Sequence, residues 1–335
     1  MSKVGKTVHV DIGVNAAFMT RRYEEPTSWA RIISDLGFDY VSFDSDALDW
    51  FYSGDSEYIL RTAKETRRIF EDAGLKIVDY LTGVAPYRFF GLAHKDPEAR
   101  AQMYRWMEGA IEIAAALGAE SVSGRFDAFS VEVQADPEAF QARYGELMRQ
   151  YQALALQAKK RGLSAIGIEQ MYVPSLVPYT IAGAKKYFAD ANNGNEEGAV
   201  IRPVVDTGHA CGQNYGTSGD DLYYEKWLEE FGVLGNTVHI QQSRRTGSDH
   251  APFDRDGGGG DVRIDQIIRS IEYSAANYGN HVLSGVIPVP ENIYLILEAL
   301  PSTGDTEEKV LDGLQQSIEY LRTAIPKGGI DLSIS

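Results

Sequence analysis

The chain has 335 residues, 44% of them apolar, which is enough to bury a full core and long for one domain outside the barrel class. Its 32 lysines and arginines face 48 aspartates and glutamates, a formal net charge of -16, which argues against extended contact with nucleic acid or an anionic membrane. No run reaches the ~20 apolar residues of a bilayer span, and the start, Met1 to Lys6, lacks the apolar stretch of a secretory leader. The one cysteine, Cys211, excludes an intramolecular disulfide and argues against a cysteine-based zinc site, so a reducing cytoplasm is the expected compartment.

In chain order, short β-rich runs occur at Val8–Val14, Tyr40–Phe43, Lys76–Leu81, Ser121–Ser123, Ala165–Glu169, Val204–Asp206, Thr237–Gln241 and Tyr294–Glu298. Between them lie runs with apolar residues at three- and four-residue spacing, among them Ser28–Leu36, Glu57–Ala73, Pro97–Leu117, Pro137–Arg161, Asp265–Tyr278 and Glu307–Thr323. Gly37, Gly74, Gly118 and Gly162 each follow the last periodic residue of a helix, where a left-handed residue is wanted. Eight strands alternating with helices predict a single (β/α)8 TIM barrel over residues 1–335, with a doubly wound open sheet as the alternative. No Gly-x-Gly-x-x-Gly follows the first strand, which counts against the open sheet. Two irregularities stand out. A polar, glycine-rich stretch over 246–261 reads as one long loop. An insertion over 281–292 precedes the last strand, and its apolar run Val282–Ile287 competes with Tyr294–Glu298 for the eighth strand. The second segment is preferred because a short loop and one clean final helix follow it.

Catalytic groups of such a barrel sit at the C-terminal ends of its strands. Four consecutive strands there present metal-ligand types: Glu169 on strand 5, Asp206 on strand 6, Gln241 on strand 7 and Glu298 on strand 8. Three converging carboxylates would repel one another unless a cation lay between them. Three carboxylates and an amide oxygen form a hard oxygen site suited to Mn²⁺ or Mg²⁺, with Co²⁺ also accommodated. On strand 7, His239 and Gln241 alternate onto the same inward face. Gln241 lies nearer the C-terminal end and is preferred, with His239 as the alternative. His209 follows three residues after Asp206 and can reach into the pocket.

These residues carry a family resemblance. Glu169, Asp206-Thr-Gly-His209, His239-Ile-Gln241 and Glu298 make the chain resemble the xylose-isomerase-like sugar isomerase/epimerase superfamily over nearly its whole length. More narrowly, Thr82-Gly83, Ala93-His-Lys-Asp-Pro97, Ala128-Phe-Ser130, Gln241-Gln-Ser243, Asp249-His250 and Pro252-Phe253 resemble the tetrulose-phosphate racemase/isomerase branch associated with erythritol catabolism. The resemblance implies a divalent-metal-dependent isomerase or epimerase of a small ketose or ketose phosphate. Proton transfer would run through a metal-stabilised enediolate, with Glu169 and Glu298 as the carboxylates that remove and return the proton. Three features depart from the pattern: Arg125 with Phe126 and Asp127 after strand 4, the tandem Arg244-Arg245 after strand 7, and the insertion over 281–292.

Expected substrate contacts are His209 and His250, which suit hydroxyl binding or proton shuttling near neutrality. Arg125, Arg244 and Arg245 are candidate phosphate contacts. Tyr80, Tyr87 and Trp50 are candidate aromatic faces for a sugar. The competing enzyme reading is a metal-dependent lyase of the same fold that cleaves C-glycosides of 3-keto sugars, the loop 246–261 and the insertion 281–292 then facing an aglycone or a partner subunit. A multi-zinc DNA-repair endonuclease fits poorly with only six histidines and this net charge. A non-catalytic sugar-binding barrel would require vestigial ligands. Self-association is expected only by analogy with barrels of this family, through an apolar face of the last helix at Tyr320 and Leu321.

Overall fold

The computed structural model describes residues 6–83 and 91–335. Its strands and helices follow in the order β1 (Thr7–Asn15), α1 (Pro26–Leu36), β2 (Tyr40–Asp44), α2 (Ser56–Asp72), β3 (Lys76–Leu81), α3 (Pro97–Leu117), β4 (Ser121–Gly124), α4 (Val131–Ala135), α5 (Pro137–Lys160) and β5 (Ala165–Glu169). They continue as α6 (Ile181–Asn192), β6 (Val200–Asp206), α7 (Tyr224–Phe231), β7 (Thr237–Ile240), α8 (Ile264–Asn277), β8 (Asn292–Leu297), α9 (Glu307–Leu321) and β9 (Ile330–Ser333). Strands β1 to β8 pair in parallel in sequence order, and β1 pairs with both β8 and β2, which closes the barrel. None of the described helices is long and apolar enough to cross a membrane.

Local chemistry explains the helix boundaries. Asp96 and Asp136 cap α3 and α5 through their carboxylates, each followed by a proline at the first helical position, where a missing N–H costs nothing. At the other end of α3, Gly118 takes φ 74° and turns the chain into β4. The strand β9 was not anticipated from sequence. It lies antiparallel on β1 over Thr7–Val10, below the point where β2 begins to pair.

The insertion is settled by topology. Residues 282–287 form turns, and the eighth strand is Asn292–Leu297. Because the insertion precedes β8, it lies at the N-terminal end of the barrel. There Arg202, near the start of β6, donates to the Pro288 carbonyl at 2.7 Å, and Lys6 donates to the Val289 carbonyl at 3.2 Å. It therefore cannot face an aglycone at the mouth. The loop 246–261 follows β7 and is at the mouth. The apolar face of α9 is also accounted for within the chain: Leu321 is buried, and Tyr320 stacks on Phe253 and accepts a hydrogen bond from the Ile264 N–H. The expected association surface at these two residues is internal core.

Period-two alternation aims one stripe of each strand into the barrel. From bottom to top these stripes read Tyr40-Ser42-Asp44 on β2, Ser121-Ser123-Arg125 on and after β4, Ala165-Gly167-Glu169 on β5, Arg202-Val204-Asp206 on β6, Thr237-His239-Gln241 on and after β7, and Tyr294-Ile296-Glu298 on and after β8. The lower end is plugged by Val78, Tyr294 and Ile296 with Tyr40 packed on them. Next comes a dry polar tier. Asp79 accepts hydrogen bonds from Ser42, Ser121 and Ser123, and Asn236 donates to Ser121 at 2.9 Å. The upper tier is where the ionisable groups gather.

Candidate metal centre and active site

Glu169, Asp206, His239 and Glu298 offer ligand atoms that all lie within 4.8 Å of one another, and every one of these side chains is buried. All four expected ligands therefore meet here: Glu169, Asp206 and Glu298 belong to the cluster, and Gln241 Nε2 lies 2.8 Å from Asp206 Oδ1. On β7, His239, which the sequence analysis held as the alternative to Gln241, stands in the cluster as well. Strand register supplies the reason: Asp206 pairs with His239, so the imidazole, the last inward residue of β7, stands level with the end of β6. Its Nδ1 lies 2.9 Å from Glu169 Oε1 and 3.4 Å from Glu298 Oε2.

Gln241 is engaged differently. Its Oε1 accepts the His250 backbone N–H at 2.6 Å, which fixes the orientation of the amide and turns Nε2 toward Asp206 Oδ1 at 2.8 Å. The carboxamide also steadies His250, one of two non-glycine residues among those described with positive φ, at 46°. Gly208 makes this possible, since a Cβ there would lie 2.6 Å from the Gln241 amide.

The electrostatics are those of a site built around positive charge. Burial opposes ionisation of Glu169, but Arg125 and His239 more than offset it and hold its carboxyl well below the usual range. Burial also disfavours the His239 imidazolium, yet Glu298 and Glu169 push its pKa well above the ordinary value. Glu298, burdened by burial and by the neighbouring carboxylates, is raised to about 8. In this arrangement protons occupy positions that a cation would relieve. Asp206 Oδ2, His239 Nε2 and Glu298 Oε2 are buried with no hydrogen-bond partner, and one imidazole with three carboxylates is a sound donor set for a divalent ion. The residues present fit such an ion.

Two histidines stand above the cluster. His209 Nδ1 donates to the Gln170 carbonyl at 3.0 Å, which leaves Nε2 as the acceptor, 3.8 Å from Asp206 Oδ2. Gln170 clamps the end of β6, accepting from the Asp206 N–H at 2.7 Å and donating to its carbonyl at 2.9 Å. His250 Nδ1 lies 3.7 Å from Glu298 Oε2, and its Nε2 lies 3.1 Å from Ser248 Oγ. His209, His250 and Glu298 line a cavity of about 290 Å³ at the mouth, together with Asp44, Met171 and Tyr172. That volume sits near the lower bound of small-molecule sites, roughly 300–1,000 Å³.

Other expected contacts fall elsewhere. Arg125 is buried, with Nη2 2.8 Å from Glu169 Oε2, so its guanidinium serves a carboxylate of the cluster. Arg245 pairs with Glu225 at 2.8 Å and lies over the rings of Tyr223 and Tyr224, while Arg244 pairs with Asp249 at 2.7 Å. Neither lines the cavity. Tyr80 is fully buried and donates to the Leu48 carbonyl at 2.7 Å, and the partly buried Trp50 packs on Gly109 of α3; neither lines the cavity. Tyr87 lies outside the described residues. Sequence reasoning missed Asp44 and Tyr172. The signal for Asp44 was present, since it closes Tyr40-Val-Ser-Phe-Asp44 as Glu169 closes β5.

Comparison with known proteins agrees with this architecture. A protein from Rhodospirillum rubrum assigned as a xylose isomerase superposes with a TM-score of 0.80 at 24% identity, over 95% of this chain and 100% of its own. The 3-keto-D-glucoside 4-epimerase of E. coli gives 0.61 at 14% identity over 95% and 100%, and an L-ribulose 3-epimerase gives 0.61 at 17% over 93% and 92%. No curated protein matches the sequence. The family model described as xylose isomerase-like TIM barrel matches residues 30–284, a span holding Glu169, Asp206, His209, His239 and His250, and the chain belongs to that family.

Proposed function

We propose that this chain is a divalent-metal-dependent isomerase or epimerase of a small ketose or ketose phosphate. The observation that carries the reading is the buried cluster of Glu169, Asp206, His239 and Glu298 opening onto a cavity of about 290 Å³. These four residues would hold the ion, and Mn²⁺ suits their mixed imidazole and carboxylate donors, with Mg²⁺ or Co²⁺ also accommodated. Such an ion, when bound, supplies Lewis acidity that makes a C–H bond beside a carbonyl easier to ionise.

The chain's own groups divide the remaining work. Glu298 lines the cavity, so its carboxylate is placed to exchange a proton with a bound substrate at Oε2. Glu169 is kept ionised by Arg125, which makes it an acceptor at Oε1, next to His239. Two carboxylates beside one substrate are what removal of a proton from one carbon and its return to another face or neighbouring carbon require. His209 Nε2 and His250 Nδ1 are placed to bind hydroxyls of the same substrate. The lyase reading is weakened, because the insertion that suggested an aglycone contact lies at the far end of the barrel.

The test is exchange of ketose C–H protons with deuterated water by the Mn²⁺-supplied protein. Exchange without loss of any leaving group supports the reading. Elimination from a 3-keto-glycoside with no exchange on ketoses would replace it by the lyase.

A further inference from the structure

The cavity has a second polar wall that the reaction chemistry does not use. Strand β2 stands four strands from β6 either way round the ring, so Asp44 at its end faces the cluster from across the mouth. Asp44 lines the cavity yet is only 3% exposed. Among the described residues its carboxylate has one hydrogen bond, from the Asp46 N–H to Oδ1 at 2.8 Å. The Asn15 amide is near enough to lower its pKa but forms no hydrogen bond of normal geometry.

Glycine opens the space beside it. A Cβ on Gly83, which also lines the cavity, would lie 2.6 Å from Asp44 Oδ1, 2.7 Å from Asp46 Oδ1 and 2.8 Å from Ser45 Oγ, so three oxygens converge on the point the glycine leaves free. Among the described residues Ser45 Oγ, beside the Tyr80 hydroxyl, and Thr82 Oγ1, one strand over, are buried and form no hydrogen bond of normal geometry. Carboxylate oxygens accept only, and unpartnered buried polar atoms carry a cost that a ligand's hydroxyls would relieve. A phosphate at this wall would instead meet carboxylates.

We propose that Asp44, with Ser45 beside Gly83, is a specificity-determining subsite that binds hydroxyl groups on the end of the sugar remote from the acid–base cluster, so that the substrate is an uncharged polyhydroxy ketose rather than one phosphorylated at that end. This rests on the reading of the cluster as the reacting centre. The Mn²⁺-supplied full chain is titrated calorimetrically with D-fructose, with D-fructose 6-phosphate and with dihydroxyacetone, which lacks the remote hydroxyls, and deuterium exchange is followed in parallel. The wild-type protein binds fructose at least about ten-fold more tightly than either other probe, the order expected for hydrogen bonds to a buried group otherwise left underpaired. Asp44→Asn cuts the fructose-to-dihydroxyacetone affinity ratio by a similar factor and narrows the gap to the phosphate. Tighter wild-type binding of the 6-phosphate overturns the subsite whether or not the variant folds. So does an unchanged ratio in Asp44→Asn, and so does failure of all three probes to bind. If fructose binds in an Asp44-dependent way but exchanges no proton, the isomerase reading fails and the subsite stands. If exchange proceeds and the ratio does not respond, the reverse holds.

Discussion

The two halves of the barrel mouth use the same device to different ends. On β5, β6 and β8 an apolar strand finishes in a carboxylate, and so does β2, but the neighbours differ. Glu169 has Arg125 at 2.8 Å and His239 at 2.9 Å, and Glu298 has His239 at 3.4 Å and His250 at 3.7 Å. Asp44 has a backbone N–H and the nearby Asn15 amide, and burial followed by the charge of Asp46 raises its carboxyl to about 7. The comparison teaches that a carboxylate at a strand end has no fixed role. Cationic and imidazole neighbours make it part of a charged centre; without a cation beside it, it is left as a buried group open to a ligand.

Several experiments sharpen or break that contrast, and the largest effect is expected at the charged half. Glu298→Gln removes a proton carrier and a ligand together, so ketose proton exchange should fall by about 10³-fold or more. Glu291→Gln, on an exposed residue ahead of β8, should behave as wild type. Loss of exchange in Glu291→Gln would shift the end of the eighth strand. Arg125→Met leaves Glu169 buried without its guanidinium, and about 3–5 kcal/mol of stability should be lost in denaturant titrations. Adding Glu169→Gln should restore part of it; a flat response in both would mean that Arg125 is not the counter-charge.

Asp127 supplies a pH test away from the cluster. Burial, offset in part by Arg125, raises its carboxyl to about 7, against ~3.9 in an unfolded chain. The folded state therefore holds a proton that the unfolded state has lost, and stability falls as pH rises from about 4 through about 7, by up to roughly 4 kcal/mol. Asp127→Asn should gain Tm over wild type as pH rises across that window in calorimetric scans. A pH-independent difference would remove the titration from the account. Smaller again is the choice on β7. His239→Ala should weaken Mn²⁺ binding by more than about 100-fold, and Gln241→Leu, which loses only hydrogen bonds to Asp206 and His250, by about 10-fold. The reverse order in metal titrations would return the ligand role to Gln241. Least of all, Arg245→Ala should change stability by under ~1 kcal/mol, the scale of an exposed ion pair. It should leave ketose affinity as it was; a selective loss of sugar-phosphate binding would make Arg245 a ligand contact after all.

Much of the architecture was legible in the chain because it depends on local rules. The Asp-Pro starts of α3 and α5, the glycine ends of four helices and the period-two strands place β3 and β5 at the observed residues and the others within a few positions. Strand β9 escaped because four residues pairing on one edge carry no pattern of their own. Glu169, Asp206 and Glu298 were readable for a simple reason: a carboxylate on the inward phase of a strand's period-two alternation, at its C-terminal end, points at the barrel axis.

What the sequence determined by itself was therefore the alternation of strands and helices and which side chains face inward, since both follow from backbone periodicity within one element. Relations between elements were decided only in three dimensions. The register of β6 on β7 set His239 level with Asp206 and left Gln241 to hold His250. Chain direction put the insertion over 281–292 at the closed end, far from the mouth. Folding gave Arg245 to Glu225 and Arg125 to Glu169, and brought Asp44 across from the cluster. Each of these depends on the stagger of strands and the packing of distant residues, quantities that no single stretch of the chain contains.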